Sequence, residues 1–383
     1  MPTPRIIAQG TSTYEKDAKR DVLAHLTEAA HRCLHRAGFP KERLDGLTLA
    51  SFGYPPGNVA TLAEYLGLSL RWAEHGAFGG ASGVIGVARA HDAIRLGQAE
   101  AVLCMAGDSF TVRSHDSVVG AFTPTVRDYL APHGFGGANG LFALVQTRHS
   151  ALYGTRPEDL GRLAVTQRQH ALLHDNALFT TSFTLEDYLT ARVIASPLRL
   201  YDCVMPCAGA HGVLIVDADV FDISGRPAVE LLSHGEAHNA YPDLASSVNV
   251  GCDKFASAMF KAAGVSRADL DLVELYDDYP IMVAIQLEGY GLCDVGRGGP
   301  FLATTDLGID GDIPINTNGG QLSCGQAGAG GGLLGMAEAV TQLQGEAGER
   351  QVPDATVALV SGFGLISYGK GLSIAGALLR RAD

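Results

Sequence analysis

The sequence predicts an α/β protein made of two similar halves, and three observations carry that reading. Apolar runs of strand length alternate with stretches of helical spacing along the whole chain. A local pattern recurs: AGFPKERLDGLTLASF at 37–52 is answered by AGVSRADLDLVELYDD at 263–278. Glycines concentrate in FGGASG (78–83), GFGGANG (134–140) and NGGQLSCGQAGAGGG (318–332), and the first and last of these each precede a helical stretch.

The elements follow in order. Val22, Leu26, Ala29, Cys33 and Leu34 stand at helical spacing, so residues 20–37 form a helix with Gly38 as its C-cap. LDGLTLAS (44–51) reads as a buried strand. VIGVARAHDAIRLG (84–97) is a helix opened by the first glycine-rich segment, and AVLCMAG (101–107) is the next strand. In the second half 255–264 is helical, DLDLVELYDD (269–278) is a strand, 332–345 is a helix and 355–364 a strand. HGVLIVDADV (211–220) is the strand that joins the halves. The division falls at 1–222 and 223–383. Residues 110–200 have no counterpart in the second half, which makes them an insertion and a candidate lid.

Composition limits the function. At 383 residues, with 46% apolar and 18% charged, the chain can bury two cores. A net charge of −13 without a Lys/Arg cluster argues against a nucleic-acid surface. No run is long and apolar enough for a membrane helix, and the first residues lack a signal-peptide pattern, so a cytoplasmic location is expected. Seven scattered cysteines read as free thiols. Cys203 and Cys207 lack a second pair or a histidine cluster, so no metal site is expected. The glycine-rich segments have neither the P-loop pattern nor the acidic residue of a dinucleotide fold. What they offer is main-chain N–H groups at helix starts, suited to a thioester oxyanion or a phosphate.

Four segments carry a family resemblance: Ala81-Ser82-Gly83 opening a helix, PLRLYDC (197–203), VELYDDY (273–279) and INTNGGQLSCGQAGAGG (315–331). Together they resemble the thiolase superfamily, on the side of the sterol-carrier-protein type. That resemblance implies a five-layered αβαβα arrangement of two pseudo-symmetric halves. The catalytic positions depart from it. Gly80 stands where the nucleophilic cysteine belongs, Tyr276 where the first histidine belongs and Gln326 where the second belongs, and Ser361-Gly362-Phe363-Gly364 has no second cysteine. Without thiolate and imidazole an acyl-enzyme at position 80 is impossible. The steroid side-chain-cleaving aldolases share these departures and resemble LYDDYPIMVAIQLEGYGLC (275–293). They have a histidine where Asp278 stands and a second tyrosine where Gln326 stands.

This resemblance implies a carbon–carbon lyase. It would cleave a β-hydroxyacyl-CoA by retro-aldol reaction to acetyl- or propionyl-CoA and an aldehyde or ketone. It would have no resident cofactor, with coenzyme A entering as part of the substrate. The expected assembly is a homodimer with a small zinc-ribbon/OB-fold partner. The alternatives are a non-catalytic scaffold subunit and an acyltransferase with a displaced nucleophile such as Cys324.

The expected catalytic residues are Tyr276, Asp278 and His211 for proton transfer and Gln326 as an amide donor to the oxyanion, since a carboxamide cannot shuttle protons. Gly79, Gly80 and Gly364 would supply main-chain donors, with Asn316, Asn318 and Cys324 as further substrate-binding candidates. Each has a plainer reading. Tyr276 could be a ring packed at a strand end, Asp278 a solvated loop carboxylate, and the asparagines turn formers. Cys324 could be a small buried filler, and His75, His133 and His211 structural histidines. Strand alternation would set Tyr279 on the side of the chain away from Tyr276. A bare Gly80 would leave room for a bulky substrate.

Overall fold

A computed structural model describes residues 2–119, 123–135, 137–244 and 247–382. Residues 120–122 of the expected insertion and Gly136 of the second glycine-rich segment lie outside the described residues.

The first half runs β1 (Pro4–Thr11), α1 (Val22–Ala37), β2 (Gly46–Ala50), α2 (Val59–Leu66), β3 (Trp72–Gly76), α3 (Ser82–Arg95) and β4 (Ala101–Ser109). The insertion contributes α4 (Val112–Val119), α5 (Gly137–Tyr153), α6 (Pro157–Ala171), α7 (Leu185–Thr190) and a small hairpin, β5 (Val193–Ala195) with β6 (Leu198–Arg199). Then come β7 (Ala208–Asp217), β8 (Ala228–His238), α8 (Ala256–Ala263), β9 (Leu272–Glu274), α9 (Pro280–Tyr290) and α10 (Gly298–Thr304). The chain ends in α11 (Gly320–Cys324), α12 (Gly331–Leu343), β10 (Val357–Ser367) and β11 (Lys370–Ala382).

Nine strands form one sheet in the order β3-β2-β4-β7-β1-β8-β11-β10-β9. Its symmetry runs outward from the centre. β1 meets β8 at Ile6 and Val229. Each of these is flanked by an antiparallel strand, β7 or β11, and then by β4 or β10. β2 and β9, the strands of the recurring sequence pattern, lie parallel to β4 and β10.

The packing is five layers deep. α1 and α2 cover the outer face of the first-half strands through Leu26, Ala29, Cys33 and Leu62. α8 and α9 cover the second half through Met259, Phe260, Ile281 and Ile285. Between the halves, α3 and α12 share one core with strands of both, through Val84, Ile85, Leu333 and Val340. A helix buried on every side has little polar surface to spend, and every residue of α12 except Gly335 is buried.

The expected strand at 269–278 stops at Glu274. Asn316 explains why: its Oδ1 accepts from Leu275 N at 2.7 Å and its Nδ2 donates to Leu275 O at 2.9 Å. One residue further, Tyr276 N donates to Ser361 Oγ at 2.9 Å. Side chains therefore satisfy the backbone groups of Leu275 and the Tyr276 N–H, which a neighbouring strand would have taken, and the segment can leave the sheet there. Among the described residues no helix is long and apolar enough to cross a membrane.

The helix starts at the centre touch through backbone. A Cβ on Gly332 would overlap the carbonyl of Gly80. Gly332→Ala is therefore expected to destabilise the protein by about 1–3 kcal/mol, the usual cost of overpacking. Its urea midpoint should fall without a change in slope.

Candidate active site

The segment that leaves the sheet delivers three consecutive polar residues to buried positions. Tyr276 and Asp278 face a cavity of about 60 Å³, and Asp277 faces away from it. The cavity is closed by Gly79 and Gly80 at the start of α3, by Gly364 on β10 and by Gln326 after α11. Phe142, Tyr279 and Phe363 supply an aromatic wall. Tyr279 was expected on the far side by strand alternation. Because 275–279 is not a strand, it lines the same cavity, with its hydroxyl donating to Asn139 Oδ1 at 2.7 Å and its ring stacked on Phe142.

Gly80 does not open space for a large substrate. A Cβ there would overlap the Tyr276 ring and hydroxyl. The tyrosine fills the volume that a side chain at position 80 would need.

Tyr276 is fixed through its backbone by residues that sequence reasoning passed over. Gln286 Nε2 donates to Tyr276 O at 2.7 Å, Ser361 Oγ donates to Gln286 Oε1 at 2.6 Å, and Ser361 Oγ accepts from Tyr276 N. The ring of bonds is closed, and it assigns a structural use to Gln286 in the IQLE run. At the other end of the side chain, Gln326 Nε2 lies 3.4 Å from the Tyr276 hydroxyl.

The electrostatics separate the two carboxyls. Burial pushes Asp277 up to about 7, against the lowering effect of its donors. Gln321 N reaches its Oδ1 at 2.8 Å, and Leu322 N and Gln167 Nε2 reach its Oδ2 at 3.2 and 2.6 Å. Asp277 thus pins α11 and the inserted α6 to the second half. Asp278 is raised well above the carboxylate range by burial and by the neighbouring Asp277. Its Oδ1 has no hydrogen-bond partner among the described residues, and neither does Gln326 Oε1. Orphaned buried acceptors are rare in native proteins, and those in a cavity mark where a ligand would bond. Burial, then the charge of Asp278, holds the Tyr276 phenol above its ordinary value, so it is protonated at neutral pH.

The remaining candidates lie elsewhere. Asn316 is spent on Leu275. His211, Asn318 and Cys324 line a separate polar cavity of about 190 Å³. There His211 Nε2 meets Tyr14 OH at 2.6 Å and its Nδ1 meets Thr11 Oγ1 at 3.0 Å. Burial lowers its pKa to about 3, so it is a neutral imidazole held by two hydroxyls. Asn318 Oδ1 accepts from Gly320 N at 2.8 Å, the bond of a turn. Cys324 Sγ donates to Asn318 O at 2.9 Å and lies 3.2 Å from His174 Nδ1. Burial raises its thiol pKa well above the ordinary value, the opposite of an activated nucleophile. His75 and His133 are exposed.

Comparison with known proteins agrees with this architecture. Residues 233–377 match the thiolase C-terminal domain-like family. A 17-hydroxy-3-oxo-4-pregnene-20-carboxyl-CoA lyase of Mycobacterium tuberculosis is 29% identical over 371 residues, covering 89% of this chain and 91% of that protein. The chain has the thiolase fold. A steroid side-chain-cleaving aldolase of Thermomonospora curvata is 28% identical, over 94% of this chain and 95% of its own length. Among solved structures the Ltp2-ChsH2(DUF35) aldolase superposes with a TM-score of 0.86 at 26% identity, covering 99% of this chain and 98% of the other. These relatives support a thiolase-like acyl-CoA lyase.

Shared occupancy of one volume by position 80 and Tyr276 can be measured. Gly80→Ala should cost about 1–3 kcal/mol in the wild type. In a Tyr276→Ala background the same change should cost at least about 1 kcal/mol less, a coupling read from a double-mutant cycle of urea midpoints.

Proposed function

We propose that this protein performs retro-aldol cleavage of a β-hydroxyacyl-CoA, releasing acetyl- or propionyl-CoA and an aldehyde or ketone. The observation that carries the proposal is the pairing of a protonated phenol with a raised carboxyl in one glycine-walled cavity. Among the described residues no thiol lines the cavity, and position 80 is a glycine that offers no nucleophile. A cleavage without covalent intermediate needs little else. It needs a base for the β-hydroxyl proton, donors for the enolate oxygen and an acid for Cα.

The roles follow from the chemistry of each group. Asp278 in its ionised form takes the β-hydroxyl proton. The oxygen lone pair becomes the new carbonyl, the Cα–Cβ bond breaks, and its electron pair passes into the thioester enolate. Main-chain N–H groups at Gly79, Gly80 and Gly364 and the Gln326 amide are the candidate donors for that oxygen. Tyr276 then protonates Cα and recovers a proton from Asp278. Gln326 holds but does not carry protons, because a carboxamide cannot exchange one at neutral pH. The acyltransferase alternative loses ground because Cys324 lines the other cavity with its thiol protonated.

The assembly proposed is a cytoplasmic homodimer. The similar Ltp2-ChsH2(DUF35) aldolase names a DUF35 component beside its thiolase-like chain, and this supports a small zinc-ribbon/OB-fold subunit here too. A CoA-linked steroid or aromatic side chain is the substrate class the relatives' names suggest.

Two measurements test the proposal. Tyr276→Phe keeps the ring and its packing, so it should fold with a loss of no more than about 1–2 kcal/mol. Its cleavage of a β-hydroxyacyl-CoA should slow by at least about two orders of magnitude. A rate near that of the wild type would assign the residue a purely structural role.

The second measurement is the pH profile. Asp278 must be ionised to act, and its pKa is raised, so kcat/KM should fall as pH drops through a value above the ordinary carboxylate range. Asp278→Asn should remove that acid limb along with most of the activity. An unchanged profile in the variant would rule out Asp278 as the base.

A further inference from the structure

The two histidines and one aspartate at 91, 92 and 234 converge although 142 residues separate Asp92 from His234. We propose that they bind a single divalent ion of the zinc class, which ties α3 of the first half to β8 of the second. Their ligand atoms all lie within 4.8 Å of one another. Asp92 stands between the rings: His91 Nδ1 is 3.2 Å from its Oδ1 and His234 Nε2 is 3.1 Å from its Oδ2. Tetrahedral zinc, with bonds of about 2.0–2.1 Å, sets its ligand atoms about 3.3 Å apart, and each imidazole nitrogen already stands at nearly that distance from one oxygen of the shared carboxylate. Rotation of His234, whose side chain is about a third exposed, would bring both nitrogens onto one oxygen.

The donor set selects the ion. Two imidazole nitrogens with one carboxylate oxygen suit zinc, whereas magnesium and calcium take oxygen ligands. Three protein ligands leave a fourth position for water. The half-exposed Asp92 gives the ion a way in. Gly80 lies eleven residues earlier at the other end of α3, roughly 16 Å away along the helix. The site therefore touches no reacting atom and acts as a clamp between the halves. The inference does not rest on the proposed reaction.

The test is a titration of the EDTA-stripped protein with zinc chloride, read by calorimetry and by thermal unfolding. One zinc per chain should bind with a Kd below about 10 µM and raise the melting temperature by at least about 2 °C. His234→Ala and Asp92→Asn, both at partly exposed positions, should each weaken binding at least tenfold. His31 and His35, stacked at 6.0 Å on α1, form a competing surface pair. The double change His31→Ala and His35→Ala should leave binding intact. Absence of stoichiometric binding overturns the proposal, and the cluster is then a hydrogen-bonded His-Asp-His contact. Binding that survives His234→Ala and is lost with His31 and His35 overturns it equally. An equal response to magnesium chloride overturns the assigned ion class.

Discussion

A side chain at position 80 and the ring of Tyr276 compete for one volume at the start of α3, and the rest of the site is arranged around the outcome. With glycine at 80, the phenol reaches the place where a nucleophile would otherwise stand. The same bare backbone lets the Gly80 carbonyl press against Gly332, which brings α3 and α12 into contact at the centre of the molecule. Tyr276 in turn depends on 275–279 leaving the sheet, and that departure depends on Asn316, Ser361 and Gln286 replacing the missing strand partner. Residues from β10, α9 and the loop before α11 thus converge on one ring.

Two adjacent carboxyls divide structural and chemical work. Asp277 receives three N–H donors and becomes the joint between the inserted α6, the short α11 and the second half. Asp278, one residue on, has a buried oxygen with no such partner and faces the cavity. The bonds that favour the charged form of Asp277 place that charge close to Asp278, and burial with that charge raises the Asp278 pKa. The structural aspartate therefore tunes its neighbour.

Much of this was legible in the sequence. The two halves followed from the repeated LDG/LDL pattern, because each copy precedes a strand parallel to its neighbour. Gly79, Gly80, Tyr276, Asp278, Gln326 and Gly364 were found by position, and the fold gathers them at one cavity. Tyr279 was set on the wrong side because alternation holds only while the backbone is extended in a ladder. His211, Asn318 and Cys324 looked like site residues because glycine-rich loops and strand starts draw attention. The fold sends all three to a separate cavity, His211 from β7, Asn318 from just before α11 and Cys324 from its end. Gln286 and Ser361 carried no local signal: they are 75 residues apart, and each looks like an ordinary buried helix or strand position until the fold joins them.

The exchange of cysteine and imidazole for phenol, carboxyl and carboxamide also limits the proton traffic. A thiolase-type site stores the acyl group as a covalent bond between steps. A cavity that cannot store it must finish cleavage and protonation while the substrate is held by hydrogen bonds alone, so every proton removed has to remain within reach. Gln326 cannot retain one, and neither can main chain. In the proposed reaction Tyr276 and Asp278 serve as the two reservoirs: burial and the charge of Asp278 hold the phenol above its ordinary pKa, and burial and the charge of Asp277 hold the carboxyl above its own. A phenol that resists ionisation gives up its proton only to a strong base, and a thioester enolate is one. A carboxyl with a raised pKa gains basicity towards a weakly acidic alcohol. The aromatic wall of Phe142, Tyr279 and Phe363 keeps water from levelling that difference. Burial of the pair is thus what would let two ordinary side chains exchange protons with carbon and alkoxide.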